Sequence, residues 1–453
     1  MMRGPAQNGL GSTLTFGLEV EFFAAMKATT FNRFPNATIA SLLGDRLRLV
    51  RLHGPDGTGV GIRVEDDDDD DSSNSDAIDY SFWNLTTDKT AAPNYPEWFE
   101  CYETQPIEII SPPYRIYSPL WEHDIQRIFN SRSGQYNPIP WRELRMYFEQ
   151  NSTTGLHVHI GNGTDPDSAF SFHTVRNLAM ILLVYEPELD KLLDTSPSWN
   201  RMLNEPVYMQ CITSVNSPHF QPPNLPPKSP RALMALHLLN TCPDIKSIIN
   251  VMNPRLPAPS NPRDARYYKY NFTPLLDSLD APARNMINHD DNNNDNIFPK
   301  RKLPTIEFRQ QPGTLDPDTM VHWIRFLGAM VDFSGRIGIQ TLIEFLGLEE
   351  WRLDGANPAT AGSDSEDPPS PTYTQHVPTY STASPPSLSA FSLLSGLQPV
   401  GSLSRLLTAM ETAHIPLDPD TTRFWRRKYA QIQSLNKSPP QNTRRNNAQS
   451  YNL

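Results

Sequence analysis

Gly155-Leu156-His157-Val158-His159-Ile160-Gly161 alternates strictly, with two imidazoles at one parity and three apolar side chains at the other. Residues two apart in a strand point the same way, so this stretch predicts a strand with one apolar and one ionisable face. Two further stretches repeat the pattern: Phe16-Gly17-Leu18-Glu19-Val20-Glu21-Phe22 and Thr305-Ile306-Glu307-Phe308-Arg309. Each yields a same-face pair, Glu19 with Glu21 and Glu307 with Arg309. Placed in one sheet, the three strands bury Leu18, Val20, Leu156, Val158, Ile160, Ile306 and Phe308 against helices. The opposite face then collects three carboxylates, two imidazoles and a guanidinium, a lining suited to metal and phosphate rather than to a core.

Further strands are expected over Tyr80–Asp88 and over Ile107-Glu108-Ile109-Ile110-Ser111, the latter β-branched and stopped by Pro112-Pro113. Glu108 is a fourth strand carboxylate, with Glu100 and Glu103 as rivals. In Arg266-Tyr267-Tyr268-Lys269-Tyr270-Asn271-Phe272 aromatics interleave with cations and an amide, which could serve an anionic ligand. A helix capped by Asp167-Ser168 is expected to run to about Leu193, with Phe172, Val175, Leu178, Ile181, Leu182 and Leu189 on one face. Another opens at Asp316-Pro317, with Met320, Trp323, Ile324, Leu327 and Val331 on its apolar side. Both helices follow a charged strand, an α+β order in which helices cover the apolar side of the sheet.

The chain has 453 residues and can bury a large core. Its formal net charge is −11, but Glu65 and Asp66 to Asp71 supply seven of the negatives, leaving −4 elsewhere. Nothing in that balance favours nucleic acid. Three dispersed cysteines form no disulfide framework and fit a reducing compartment. The longest apolar run, Leu178–Tyr185, is too short to span a bilayer, so a cytoplasmic protein without membrane contact is expected.

Composition breaks divide the chain into a catalytic region over 1–350, a Pro/Ser-rich linker over 351–390, and a C-terminal helical segment with a frayed tail over 391–453. Residues 54–79, with their four glycines and acidic run, are expected to form a disordered insertion, densest over 60–79. Residues 217–230 and 285–296 are expected to be loops.

The three alternating strands, together with Ile107-Glu108-Ile109-Ile110-Ser111-Pro112-Pro113, Tyr267-Tyr268-Lys269-Tyr270-Asn271 and Thr305–Asp316, resemble the amidoligase family. That family is related to glutamine synthetase and glutamate–cysteine ligase. The resemblance covers roughly residues 14–345 and implies a glutamine-synthetase-like curved antiparallel sheet. It also implies ATP-dependent joining of a small-molecule or peptide carboxylate to an amine through an acyl phosphate, with Mg2+ or Mn2+. Carried over by motif, Glu19, His157 and Glu307 would hold the metal nearer the nucleotide phosphates, and Glu21 with Glu108 the metal nearer the acceptor. His159, Lys269 and Asn271 would face the nucleotide, and Arg309 the transferring phosphoryl group.

The chemistry accounts for these residue types. A carboxylate must be phosphorylated before an amine can displace phosphate from it, and charge builds up on the group in flight; divalent ions and a guanidinium relieve it. Carboxylates with one imidazole suit Mg2+ or Mn2+. Bland alternatives stand beside each residue: Glu19 and Glu21 as a solvated face, His157 and His159 as a structural zinc pair or surface histidines, Glu307 and Arg309 as an internal salt bridge, and Asp88, which resembles the acid that ends a family strand near the acceptor site, as a partner of Lys89. The competing functions are a metal-dependent hydrolase and a degenerate, ligand-binding relative.

Overall fold

A computed structural model describes residues 13–64, 78–88, 101–129, 146–150, 153–164, 168–193, 230–253, 268–276, 303–348, 402–413, 415 and 417–437. The strands are β1 (Thr15–Lys27), β2 (Ile62–Val64), β3 (Trp83–Thr87), β4 (Tyr102–Ile110), β5 (Tyr114–Arg115), β6 (Met146–Glu149), β7 (Gly155–Gly161), β8 (Tyr270–Asn271) and β9 (Thr305–Pro312). They form one sheet in the order β2-β3-β4-β1-β7-β9-β8, with β5 and β6 also pairing with β1. Every pairing is antiparallel except β2 with β3, so the expected antiparallel sheet ends in one parallel edge pair. The sheet is large, open and mostly antiparallel.

The alternation positions the layers. Leu18, Val20, Leu156, Val158, Ile160, Ile306 and Phe308 are at most 1% exposed and belong to one core with Trp83, Leu85, Ile107 and Ile109. The longer helices are α1 (Ile39–Leu47), α2 (Leu120–Phe129), α3 (Phe172–Leu193), α4 (Pro230–Thr241), α5 (Ile245–Met252), α6 (Pro317–Arg336), α7 (Ile339–Phe345), α8 (Leu403–Thr412) and α9 (Pro419–Lys437), beside short helical turns at Ala28–Phe31 and Thr273–Leu275. The two helices read from the sequence, α3 and α6, pack on each other; α6 also meets β7, and α3 meets β9.

Helix α6 starts as its sequence dictates: Asp316 accepts a hydrogen bond from Thr319 N at 3.2 Å and Pro317 occupies the first turn, where its missing N–H costs nothing. Helix α3 starts later than expected. Thr174 N donates to Ser171 Oγ at 3.2 Å, so Ser171 caps the helix, and the buried Phe170 keeps the preceding residues out of it. Asp167 lies outside the described residues.

The expected insertion needs a larger correction. Residues 54–64 are ordered: Gly54, Gly57 and Gly59 adopt positive φ, Leu52 bridges Val60, and β2 seats Ile62 at 7% exposure. The loop is pinned by Asp124 of α2, which is fully buried. Its carboxylate accepts from His53 N (2.8 Å), Gly54 N (2.9 Å) and Tyr114 Oη (2.9 Å), with His53 Nδ1 at 3.0 Å. A Gly-rich composition was thus mistaken for disorder because the distant acceptor, Asp124, is invisible locally. Asp124→Asn places an NH2 group against those donors and is expected to lower unfolding free energy by about 2 kcal/mol, measured by urea denaturation. An unchanged midpoint would refute the anchor. Residues 65–77, 217–229, 285–296, 351–401 and the tail from 438 lie outside the described residues.

The C-terminal helices belong to the same core. Trp425 of α9 is fully buried, meets Trp323 and Phe326 of α6, and donates from Nε1 to the His322 carbonyl at 3.1 Å. Among the described residues no helix is long and apolar enough to cross a membrane.

Candidate functional site

Strand register brings the ionisable residues onto one face. Glu19 lies opposite His157, Glu21 opposite Glu108, His159 opposite Glu307, and Glu307 opposite Asn271. Directly opposed residues of antiparallel neighbours share a face, so these positions form a row from β4 through β1, β7 and β9 to β8. Thr86 of β3 faces Glu108, placing Asp88, two residues on, at the end of that row. Glu103 has the parity of Ile107 and Ile109 and is exposed, which leaves Glu108 as the β4 carboxylate of this face. Glu100 and Arg266 lie outside the described residues.

The centre is a compact cluster. Glu19 divides its oxygens between the two imidazoles, Oε1 at 3.0 Å from His159 Nε2 and Oε2 at 3.2 Å from His157 Nδ1. His157 Nδ1 also lies 3.4 Å from Glu21 Oε1 and 4.0 Å from Glu307 Oε1, while His159 Nε2 is 3.9 Å from Glu307 Oε1. Arg309 forms an ion pair with Glu307 Oε1. Glu307 Oε2 accepts from Asn271 Nδ2 at 2.7 Å. Glu21 Oε2 accepts from Gly155 N at 2.7 Å, and a Cβ at Gly155 would lie 2.5 Å from His157 Nε2, so this strand start has no room for a side chain.

One backbone irregularity was not legible in the alternation. Between Leu156 and Val158 the β7–β9 register shifts from Gln311 to Phe308, so β9 carries a bulge at Arg309–Gln310, opposite His157. A bulge twists its strand and redirects side chains, here at the cation of the site. Within it, Gln310 Nε2 donates to Asp190 of α3 at 3.1 Å.

Electrostatics separate the two ends of the row. Burial pushes the Glu19 carboxyl up, but the two imidazoles outweigh that and hold it well below the usual range. Glu307 is lowered, with His159 and Arg309 overcoming its burial. His159 is the counterpart: burial disfavours its charge, yet Glu19 and Glu307 push it up to about 9. At the other end Glu108 is raised well above its ordinary value by burial and by repulsion from Glu19, Glu21 and Asp88. Burial and Asp88 also raise Glu21, against the opposing pull of His157. Among the described residues the face thus holds five carboxylates, one guanidinium and two imidazoles, with Glu21, Glu108 and Asp88 at one end.

That donor chemistry fits divalent cations. One ligand atom each from Glu19, His159 and Glu307 lies within 4.8 Å of the others, an oxygen, nitrogen and oxygen set. The sequence reading placed His157 in that trio and His159 toward phosphate. In the structure His159 stands with Glu19 and Glu307, and His157 lies beside them, 3.2 Å from Glu19 and 3.4 Å from Glu21. The all-oxygen end suits a hard ion. Asp88, which the resemblance would put near the acceptor and which could equally pair with Lys89, acts electrostatically on Glu21 and Glu108.

Lys269 is not brought to this face. Its ammonium is buried against α3, 2.6 Å from Asp190 Oδ2 and 3.2 Å from Glu186 Oε1. Tyr268, Tyr270 and Phe272 are buried.

The described residues thus form a mostly antiparallel sheet backed by helices, with carboxylates, imidazoles and a guanidinium converging on one face. Residues 12–208 match the family described as "Putative amidoligase enzyme". No curated protein and no solved structure matches the chain. The match covers less than half of the chain, and the site runs past it: Asn271, Glu307 and Arg309 reach the row through β8 and β9.

Proposed function

We propose that the protein is an ATP-dependent carboxylate-amine ligase working through an acyl phosphate on a glutamine-synthetase-like sheet. The supporting observation is the in-register row from Asn271 to Asp88, which joins a mixed Glu/His cluster to an all-carboxylate cluster on one open face. Mg2+ or Mn2+, when bound, would screen the triphosphate from the attacking carboxylate. Glu19, Glu307 and His159, with His157 beside them, would hold the ion nearer the nucleotide; Glu21, Glu108 and Asp88 would hold the ion nearer the acceptor. Arg309, tethered by Glu307, would neutralise charge on the transferring phosphoryl oxygens. The Glu21 carboxylate is fixed by the Gly155 N–H and so offers its remaining lone pairs in a set direction. The substrates are a small-molecule or peptide carboxylate and an amine donor, acting in the cytoplasm.

The decisive assay follows ADP release with Mg2+ against pooled carboxylates and amines. Turnover that requires a carboxylate, and is stimulated by an amine, is expected. Cleavage of amides or esters without ATP would replace the ligase with a metal-dependent hydrolase.

A further inference from the structure

We infer that Asn271 is a positioning residue for Glu307, and that Thr273 sets the orientation in which it works; this rests on the metal-binding part of the ligase reading. Asn271 is 3% exposed and Glu307 5%, so neither can exchange its partner for water freely. Asn271 Oδ1 accepts from Thr273 N at 3.0 Å and from Thr273 Oγ1 at 2.6 Å. The backbone N–H can only donate, so the amide oxygen must face Thr273 and the amide nitrogen must face Glu307. The flipped amide would set NH2 against N–H and carbonyl oxygen against carboxylate.

The consequence lies at the carboxylate. Asn271 Nδ2 holds Glu307 Oε2 at 2.7 Å, leaving Oε1 as the oxygen that faces His159, His157 and Arg309. Glu307 is therefore presented to the Glu19–His159 side through one oxygen, in a fixed rotation. Ligands held by such outer partners lose metal affinity when the partner is removed. Strand β8 is only two residues long, so a side-chain lock adds what a longer ladder would otherwise provide. Both Asn271 and Thr273 lie beyond the stretch matched by the family.

The test is Mn2+ affinity of the nucleotide-free full chain, read by electron paramagnetic resonance of the free ion, with thermal unfolding as the folding check. Asn271→Ala is expected to weaken Mn2+ by about 10- to 100-fold. Thr273→Val, which removes the hydroxyl but keeps the shape, should give a smaller loss in the same direction, and Thr273→Ser should restore wild-type affinity. Wild-type Mn2+ affinity in folded Asn271→Ala and Thr273→Val overturns the positioning role. Should Asn271→Ala fail to fold, the Thr273 pair decides alone: equal affinity in Thr273→Val and Thr273→Ser overturns the inference. A wild-type chain that binds no Mn2+ overturns the metal-binding reading itself, and the inference with it, which separates the two failures.

Discussion

Arg309→Lys is expected to lower ATP turnover by about 10³-fold, within the range for loss of a guanidinium that stabilises a phosphoryl group in flight, while leaving the melting temperature close to wild type. The substitution keeps a positive charge beside Glu307 but loses the planar fork that can grip two oxygens at once. The bulge opposite His157 gives Arg309 its placement, and a lysine ammonium on a flexible stem cannot use that placement in the same way. Little apolar packing is removed, so the fold should survive. The measurement is coupled ADP release at saturating Mg2+ with the activating carboxylate and amine. Undiminished turnover would reduce Arg309 to a counter-ion of Glu307. Glu307→Gln should act differently, weakening divalent-ion and nucleotide binding together, because Glu307 touches Arg309, Asn271 and both imidazoles.

The central face was legible because period-two alternation fixes which side chains share a face whatever the neighbouring strands are. Glu19, Glu21, His157, His159, Glu307 and Arg309 follow from it directly, and Leu18, Val158 and Phe308 are buried as the same rule requires. Features that depend on which strands pair were not legible. Asp88 gains its meaning only when β3 lies beside β4 and Thr86 faces Glu108. The β9 bulge is a property of two strands in register, and no single-strand pattern announces it. Lys269 was expected at the nucleotide because cations near aromatics suit an anionic ligand; its acidic partners, Glu186 and Asp190, sit on a helix some eighty residues earlier. Local composition misled at residues 54–64 for the same reason, since the buried carboxylate that orders them comes from α2.

The Lys269 cluster carries the largest stability effect. Burial pushes the Glu186 carboxyl up to about 8, with Lys269 opposing and Asp190 reinforcing the shift. Lys269 itself is raised: burial disfavours its charge, but Asp190 and Glu186 more than compensate. At neutral pH the triad is therefore an ammonium balanced by Asp190, with Glu186 neutral. Because the folded-state carboxyl titrates above its unfolded value of 4.5, its neutral form contributes full stability below about pH 4.5, and that contribution fades as pH rises through about 8. Glu186→Gln should accordingly flatten the loss of stability between those limits, a difference on the order of 4 kcal/mol by pH 9. Lys269→Met should cost about 3–5 kcal/mol, the usual result of removing one partner from a buried pair. Denaturant midpoints across pH 5 to 9 decide between the pictures. If Glu186→Gln follows the wild-type pH profile in parallel while Lys269→Met is neutral, then Glu186 is ionised in the folded protein and the triad does not hold the Lys269 segment to α3.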